Sequence, residues 1–184
     1  SENQKMVVYT GHLYDWKGVH TLAAAARKID PGIIIYFVGG TESDSQKFKE
    51  RYSDSNIRVM GWKPHQEIPL WLASSDVLVI PNSAKEMIGS TYTSPLKLFE
   101  YSAANRPIVA TDVPALREVL GDRAVFAQPD DAESLAQAIE TVFADYTKWV
   151  TVAQAQAHSV DQYSWEARGE AMVRFIERQL KNIS

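Results

Sequence analysis

Two short runs, Ile33-Ile-Ile-Tyr-Phe-Val38 and Val77-Leu-Val-Ile80, are apolar at every position rather than at every second one. A strand with one wet face alternates; a strand buried on both faces does not, and its usual setting is a parallel sheet covered by helices. These runs are read as strands 32–38 and 76–80, and further β-rich segments lie at 6–10, 57–59, 107–111 and 124–126. Helical patterns fill the intervals near 19–28, 45–52, 66–73, 95–104 and 115–119. After residue 126 the chain reads as helix alone, near 132–144, 148–158 and 165–180. Strand–helix alternation at this spacing predicts an α/β fold: a doubly wound, mainly parallel sheet with helices on both faces and a helical C-terminal tail.

Composition narrows the partners. A chain of 184 residues, 45% apolar and 23% charged, fits a single globular domain with a real core. Its net charge of −4 and the lack of a basic stripe give no attraction to nucleic acid. With no cysteine, disulfides and thiolate metal sites are excluded. No apolar run approaches the ~20 residues that span a bilayer, and no signal peptide precedes Met6, so a cytoplasmic location is expected. The chain opens on Ser1, which suggests a portion of something longer.

In a sheet of this kind, ligands bind beyond the carboxyl ends of the strands. The first exit, Gly11-His-Leu-Tyr-Asp-Trp-Lys-Gly18, is neither a P-loop nor a Gly-x-Gly-x-x-Gly turn. Two glycines and Lys17 at a helix start make either an anion pocket or an ordinary βα turn. The second, Val38-Gly39-Gly40, permits close backbone approach to a ligand or simply a tight turn. The third, Met60-Gly61-Trp62-Lys63-Pro64-His65, offers backbone donors and an aromatic face to a nucleobase, or a plug before a helix. Then comes Ser94-Pro-Leu-Lys-Leu-Phe-Glu-Tyr101. Ser94 suits an N-cap and Pro95 the first helical position, which puts Lys97 third. A cation in the first turn opposes the helix dipole by ~0.3–1 kcal/mol unless an anion sits nearby. The misfit points to a phosphate site built from backbone N–H groups with Lys97 beside them; the alternative is a surface lysine on an ordinary helix.

Taken in order, these pieces resemble the donor-binding, C-terminal half of a retaining GT-B glycosyltransferase of the large family 4 type. The resemblance covers nearly the whole chain. It is carried by Gly11…Lys17-Gly18-Val19, Val38-Gly39-Gly40, Val59…Gly61-Trp62, and Glu67-Ile-Pro…Trp71-Leu-Ala-Ser-Ser-Asp76. Ser94–Tyr101 followed by Arg106-Pro-Ile-Val-Ala-Thr-Asp-Val-Pro114 is its most specific part. Asp130–Ile139 and Tyr163-Ser-Trp-Glu166 match the family's closing helices.

The resemblance implies a nucleotide-diphosphate-sugar site in a Rossmann-like domain. Lys17 would contact the diphosphate, and Glu100, the second Glu of the family's Glu-x₇-Glu motif, the ribose hydroxyls; these two are the implied catalytic residues. Gly11, His12, Gly18 and Gly39 would line the phosphate side. Gly61, Trp62 and Lys63 would hold the base. Ser94, Pro95, Leu96, Lys97 and Leu98 would present the helix start, with the N–H groups of Lys97 and Leu98 taking the distal phosphate. Two positions depart from the pattern. His12 stands where the family usually has Arg, so an imidazole with at most two donors replaces a permanent forked cation. Tyr92 stands at the first Glu of Glu-x₇-Glu, and Glu86 lies six residues earlier.

The activity implied by the resemblance is transfer of a sugar, with retained configuration, to an acceptor hydroxyl. No cofactor and no obligatory divalent ion are expected: Asp130-Asp131 reads as a capping pair at a helix start, and His12, His20, His65 and His158 have no ligand spacing. Trp165, Met172, Val173, Ile176 and Leu180 form an apolar stripe at helical spacing. In the family that last helix, here 165–182, crosses to an N-terminal half that binds the acceptor. The chain has room for only one half, so the isolated domain would bind donor and turn it over weakly or not at all. Any membrane contact would come through the missing half. The rival reading is a non-catalytic nucleotide-binding or partner-scaffolding module of the same fold. A flavodoxin- or receiver-like domain is disfavoured, since no acidic cluster and no Ser/Thr phosphate loop follow the first strand.

Overall fold

The structure, a computed structural model, describes residues 4–87 and 96–181. Six strands form one sheet: β1 (Lys5–Thr10), β2 (Ile33–Val38), β3 (Ile57–Gly61), β4 (Val77–Ile80), β5 (Ile108–Thr111) and β6 (Val125–Ala127). Their order is β3-β2-β1-β4-β5-β6, and every pairing is parallel. The chain winds outward from β1 to β3, then restarts at β4 on the other side of β1. That reversal between β1 and β4 leaves a crevice beyond their carboxyl ends.

Helices cover both faces: α1 (Val19–Ala25), α2 (Glu42–Arg51), α3 (Ile68–Ser74), α4 (Leu96–Ala103), α5 (Pro114–Leu120), α6 (Ala132–Ala144) and α7 (Tyr146–His158), with α8 (Trp165–Lys181) as the tail. Alternation along β1 divides the core in two. Val7 and Tyr9 pack with Leu22, Phe37, Phe48 and Ile139 beneath α1, α2 and α6. Val8 packs with Leu72, Leu78, Leu98 and Leu116 beneath α3, α4 and α5. Each such side chain contributes about 1.5–3 kcal/mol on burial. The sequence therefore had to make β1 and β4 apolar on both sides.

Several boundaries move for local reasons. Helix α2 starts at Glu42 rather than 45, because Thr41 and Asp44 close a reciprocal capping box: Asp44 N donates to Thr41 Oγ1 at 3.1 Å and Thr41 N to the Asp44 carboxylate at 3.2 Å. Helix α1 ends at Ala25 rather than 28; Arg27 N and Lys28 N turn back to Ala24 O and Ala25 O, tightening the last turn into three-residue spacing. Strand β3 runs on to Gly61, which pairs with Val38 after a register shift between Phe37 and Val38.

Helix α4 is pinned from two sides. Beneath it, the buried Tyr101 hydroxyl accepts from Thr10 N at 2.7 Å, fastening the helix to the end of β1. Beside it, Gln156 of α7 donates to Ser102 Oγ at 3.1 Å, and the Phe99 and Tyr163 rings meet at 4.9 Å. By contrast, Trp165, Met172, Val173, Phe175, Ile176 and Leu180 of α8 are all more than half exposed. No helix among the described residues is long and apolar enough to cross a membrane.

Candidate functional site

A cavity of about 240 Å³ opens at the strand ends on the β1–β3 side of the crevice. Its floor is backbone: Gly11 N donates to Val38 O and Gly39 N to Gly61 O, both at 2.8 Å, so the three strand exits interlock. Its far wall is α4. Lys97 and Glu100, three residues apart and so on one helix face, both line it. Trp62, 70% exposed, and Lys63 stand at the β3 side.

Of the residues the sequence nominates, Gly11, His12, Gly39, Trp62, Lys63, Lys97 and Glu100 share this one cavity. Lys17, Gly18, Gly61, Leu96 and Leu98 stand outside its wall. Leu98 is buried in the core, where an apolar side chain leaves only its main chain for a ligand. Ser94, Pro95 and Tyr92 lie outside the described residues. The Lys17 ammonium rests 3.9 Å over the Trp16 ring, half-buried, and burial lowers its pKa. The His12 ring is exposed and stacks on Tyr14, centroids 4.9 Å apart.

Lys97 is the unusual group. Its residue is partly exposed, but the ammonium itself is out of solvent and has no hydrogen-bond acceptor. It sits 3.9 Å over the ring of Tyr9, itself fully buried, and a Cβ placed on Gly11 would stand 2.9 Å from it. Burial holds the Lys97 pKa well below the ordinary lysine value, repulsion from Lys17 adds to this, and Glu100 partly offsets it. The Tyr9 hydroxyl donates to His12 O at 2.6 Å, and burial pushes its pKa well up, so it stays a donor.

The Asp130-Asp131 pair does not act as the expected double cap. Asp131 alone caps α6, accepting from Glu133 N and Ser134 N. Asp130, at φ 60°, turns the other way. Its carboxylate accepts from Ser83 Oγ at 2.6 Å and Ala84 N at 3.0 Å, just past β4. Ser83 N in turn donates to Trp16 O at 3.0 Å. One carboxylate thus braces the exits of β4 and β6 and, through Ser83, the turn carrying Lys17. A capping pattern could not reveal this, because the reach depends on strand order.

Thr10, Val38, Gly40, His65 and Ile68 also line the cavity, although the sequence nominates none of them singly as a site residue. Val38, Gly40 and His65 stand in the second and third strand exits, whereas Thr10 and Ile68 carry no signal of their own in the sequence. A second cavity of about 450 Å³ runs between those helices and shares His65, Ile68 and Glu100 with the first. Among the described residues, no three His, Asp or Glu side chains gather closely enough to hold a metal ion.

The profile of a family described as "Glycosyl transferases group 1" matches residues 4–145. The phosphatidyl-myo-inositol mannosyltransferase of Mycolicibacterium smegmatis is 27% identical over 168 residues, covering 88% of this chain and 42% of that one. The crystal structure of Anabaena HepE in complex with UDP and glucose superposes with a TM-score of 0.79 at 19% identity, over 96% of this chain and 49% of that one. The C-terminal domain of the group 1 family protein LpcC of Francisella tularensis gives 0.69 at 18% identity, over 86% and 85%. The chain spans 27–42% of the length of the curated relatives it matches. Its doubly wound parallel sheet and this match over most of its length say the same thing: the chain belongs to the glycosyl transferases group 1 family.

Proposed function

We propose that the cavity binds a nucleotide-diphosphate-sugar and that, joined to a second half, the chain acts as a retaining glycosyltransferase, transferring a hexose to an acceptor hydroxyl. The observation that carries this reading is one cavity bounded by a glycine-floored set of strand exits and by a helix start whose Glu100 faces the same space. The first N–H groups of a helix have no intrahelical acceptor and favour an anion, so the main chain at Lys97 and Leu98 suits the distal phosphate. Glu100, about one turn along and lining the same cavity, would accept from the two ribose hydroxyls. Trp62 and Lys63 then bracket the base. HepE, of the same fold, was crystallised with UDP and glucose, which supports a nucleotide in this crevice.

Charge builds on the departing phosphate as the glycosidic bond breaks. Fixed N–H groups stabilise that charge without reorganisation, typically by ~3–4 kcal/mol per donor. Lys17, whose charge already acts on the Lys97 ammonium, would turn to the phosphate by lifting its side chain off the Trp16 ring. The exposed apolar face of α8 fits a helix that returns to the absent half. Full turnover, the acceptor and the sugar's identity belong to that larger protein.

Titration calorimetry with a panel including UDP-glucose and GDP-mannose tests the reading. Binding of at least one member, weakened tenfold or more by Glu100→Ala, is expected. Silence across the panel at millimolar ligand contradicts it.

A further inference from the structure

The Lys97 ammonium is the one buried cation in the cavity with nothing to bond to among the described residues. A buried unpaired ammonium is costly, and a fold keeps one only where something compensates. Here the Tyr9 ring face, 3.9 Å away, supplies attraction without a hydrogen-bond acceptor. Tyr9 is fixed in turn: it is fully buried, and its hydroxyl is tied to His12 O at 2.6 Å. Gly11 has no side chain to cover the ammonium, and a Cβ there would press on it at 2.9 Å. The three N–H donors therefore stand unspent just beneath the cavity surface.

We infer that the Lys97 side chain is itself a ligand of the donor's pyrophosphate, and that Tyr9 is the residue that positions it. The inference rests on the donor reading above and adds a side-chain cation to the main-chain donors assigned there. His12, one residue past Gly11 in the same cavity, is exposed and stacked on Tyr14. That leaves the buried Lys97 as the cation already fixed against the cavity floor.

Lys97 is faced by Tyr9 on β1, by Lys17 on the loop after it and by Glu100 on its own helix, and shares the cavity with His12, Lys63 and His65. Burial and Lys17 disfavour its proton in the empty cavity, and Glu100 only partly restores it. A pyrophosphate dianion reverses that balance, so binding draws a proton from the buffer onto Lys97 Nζ. Affinity for the donor then falls as pH rises.

The test is calorimetry at steps from about pH 7 to about pH 10 with UDP-glucose and GDP-mannose, each in buffers of different ionisation enthalpy. Their pyrophosphate bridges carry no proton of their own over this range, so uptake by the bridge is excluded. The chain should take up part of a proton per donor bound. Lys97→Met should bind at least tenfold more weakly with no uptake, and His12→Asn should keep the uptake. Tyr9→Phe, which retains the ring, should stay within about threefold of the parent, while Tyr9→Leu should approach Lys97→Met. If Tyr9→Leu does not fold, the Phe and Met variants carry the test. Binding without uptake, or uptake undiminished in Lys97→Met, overturns the inference. Should both sugar nucleotides fail to bind while inorganic pyrophosphate binds the parent and not Lys97→Met, the donor reading falls and the Lys97 assignment stands. If pyrophosphate also fails, both fall.

Discussion

Gly18→Ala should damage this protein far more than its size suggests. Gly18 lies between the Asp15–Lys17 turn and α1 with φ 69° and ψ 17°, a left-handed conformation that costs an L residue ~1–2 kcal/mol. A Cβ there would stand 1.7 Å from Pro81 O and 2.7 Å from Pro81 C. Those are backbone atoms just past β4, and they cannot yield easily. Asn82 O is held by Thr111 Oγ1 at 2.8 Å, and Ser83 by both Trp16 O and Asp130. Relieving the overlap means prising the Lys17 turn off the β4 exit, an overpacking cost of ~1–3 kcal/mol beyond the strain. Gly61→Ala is the matched control: φ is 68°, yet the nearest atom to a new Cβ is Ser45 Oγ at 3.7 Å, an ordinary contact. It should lose only the ~1–2 kcal/mol of left-handed strain. Urea unfolding followed by tryptophan fluorescence should therefore place Gly18→Ala below Gly61→Ala by ~1–3 kcal/mol, or about 1 M in midpoint at a slope near 2 kcal/mol/M. Equal losses would mean that the turn is not seated on Pro81, and that reasoning about Lys17 from this contact is unsound.

Other expectations are simpler to state. Tyr101→Phe removes the acceptor from the buried Thr10 N and should cost ~1–3 kcal/mol in the same unfolding assay while leaving the helix in place. Lys97→Met should be more stable than the parent. The folded pKa of Lys97 lies below its ordinary value of 10.5, so the folded state carries the full penalty at low pH and sheds it as pH rises toward that value. The stability gap between variant and parent should thus be largest in mild acid and close near pH 10; a gap that widens with pH contradicts the burial. Asp130→Gly should lose stability on balance, because two hydrogen bonds to its carboxylate, at ~1.5–3 kcal/mol each, outweigh the ~1–2 kcal/mol of strain relieved at φ 60°, and it should speed amide exchange at Ala84 and lower donor affinity. Unchanged exchange at Ala84 would show that the brace is incidental.

The sheet was readable because β2 and β4 must be apolar on both faces, and that demand is written residue by residue. Helix ends were less so. The start of α2 is present in Thr41-Glu-Ser-Asp44, a capping pattern masked by an apolar periodicity that begins only later. The site was legible where it follows strand ends, at Gly11, Gly39 and Trp62, since a doubly wound sheet puts its crevice there. It was not legible where it depends on packing between elements distant in sequence. Tyr9 reads as an ordinary strand residue facing α1 and α2 until the start of α4 is set across the end of β1, which alone lets the Lys97 side chain reach over to its ring. Asp130 reads as a cap until β6 and β4 are seen on either side of β5. Lys17 illustrates the converse: a motif nominated it, yet its ammonium lies on Trp16 rather than in the cavity wall.

A crystal of the chain soaked with a bound member of the donor panel tests the assignment of the cavity most directly. The pyrophosphate should lie within hydrogen-bond distance of the main-chain nitrogens at the start of α4 and of Lys97 Nζ, with the ribose hydroxyls on Glu100. A nucleotide bound elsewhere on the sheet, or reversed so that its base meets Lys97, would contradict the account.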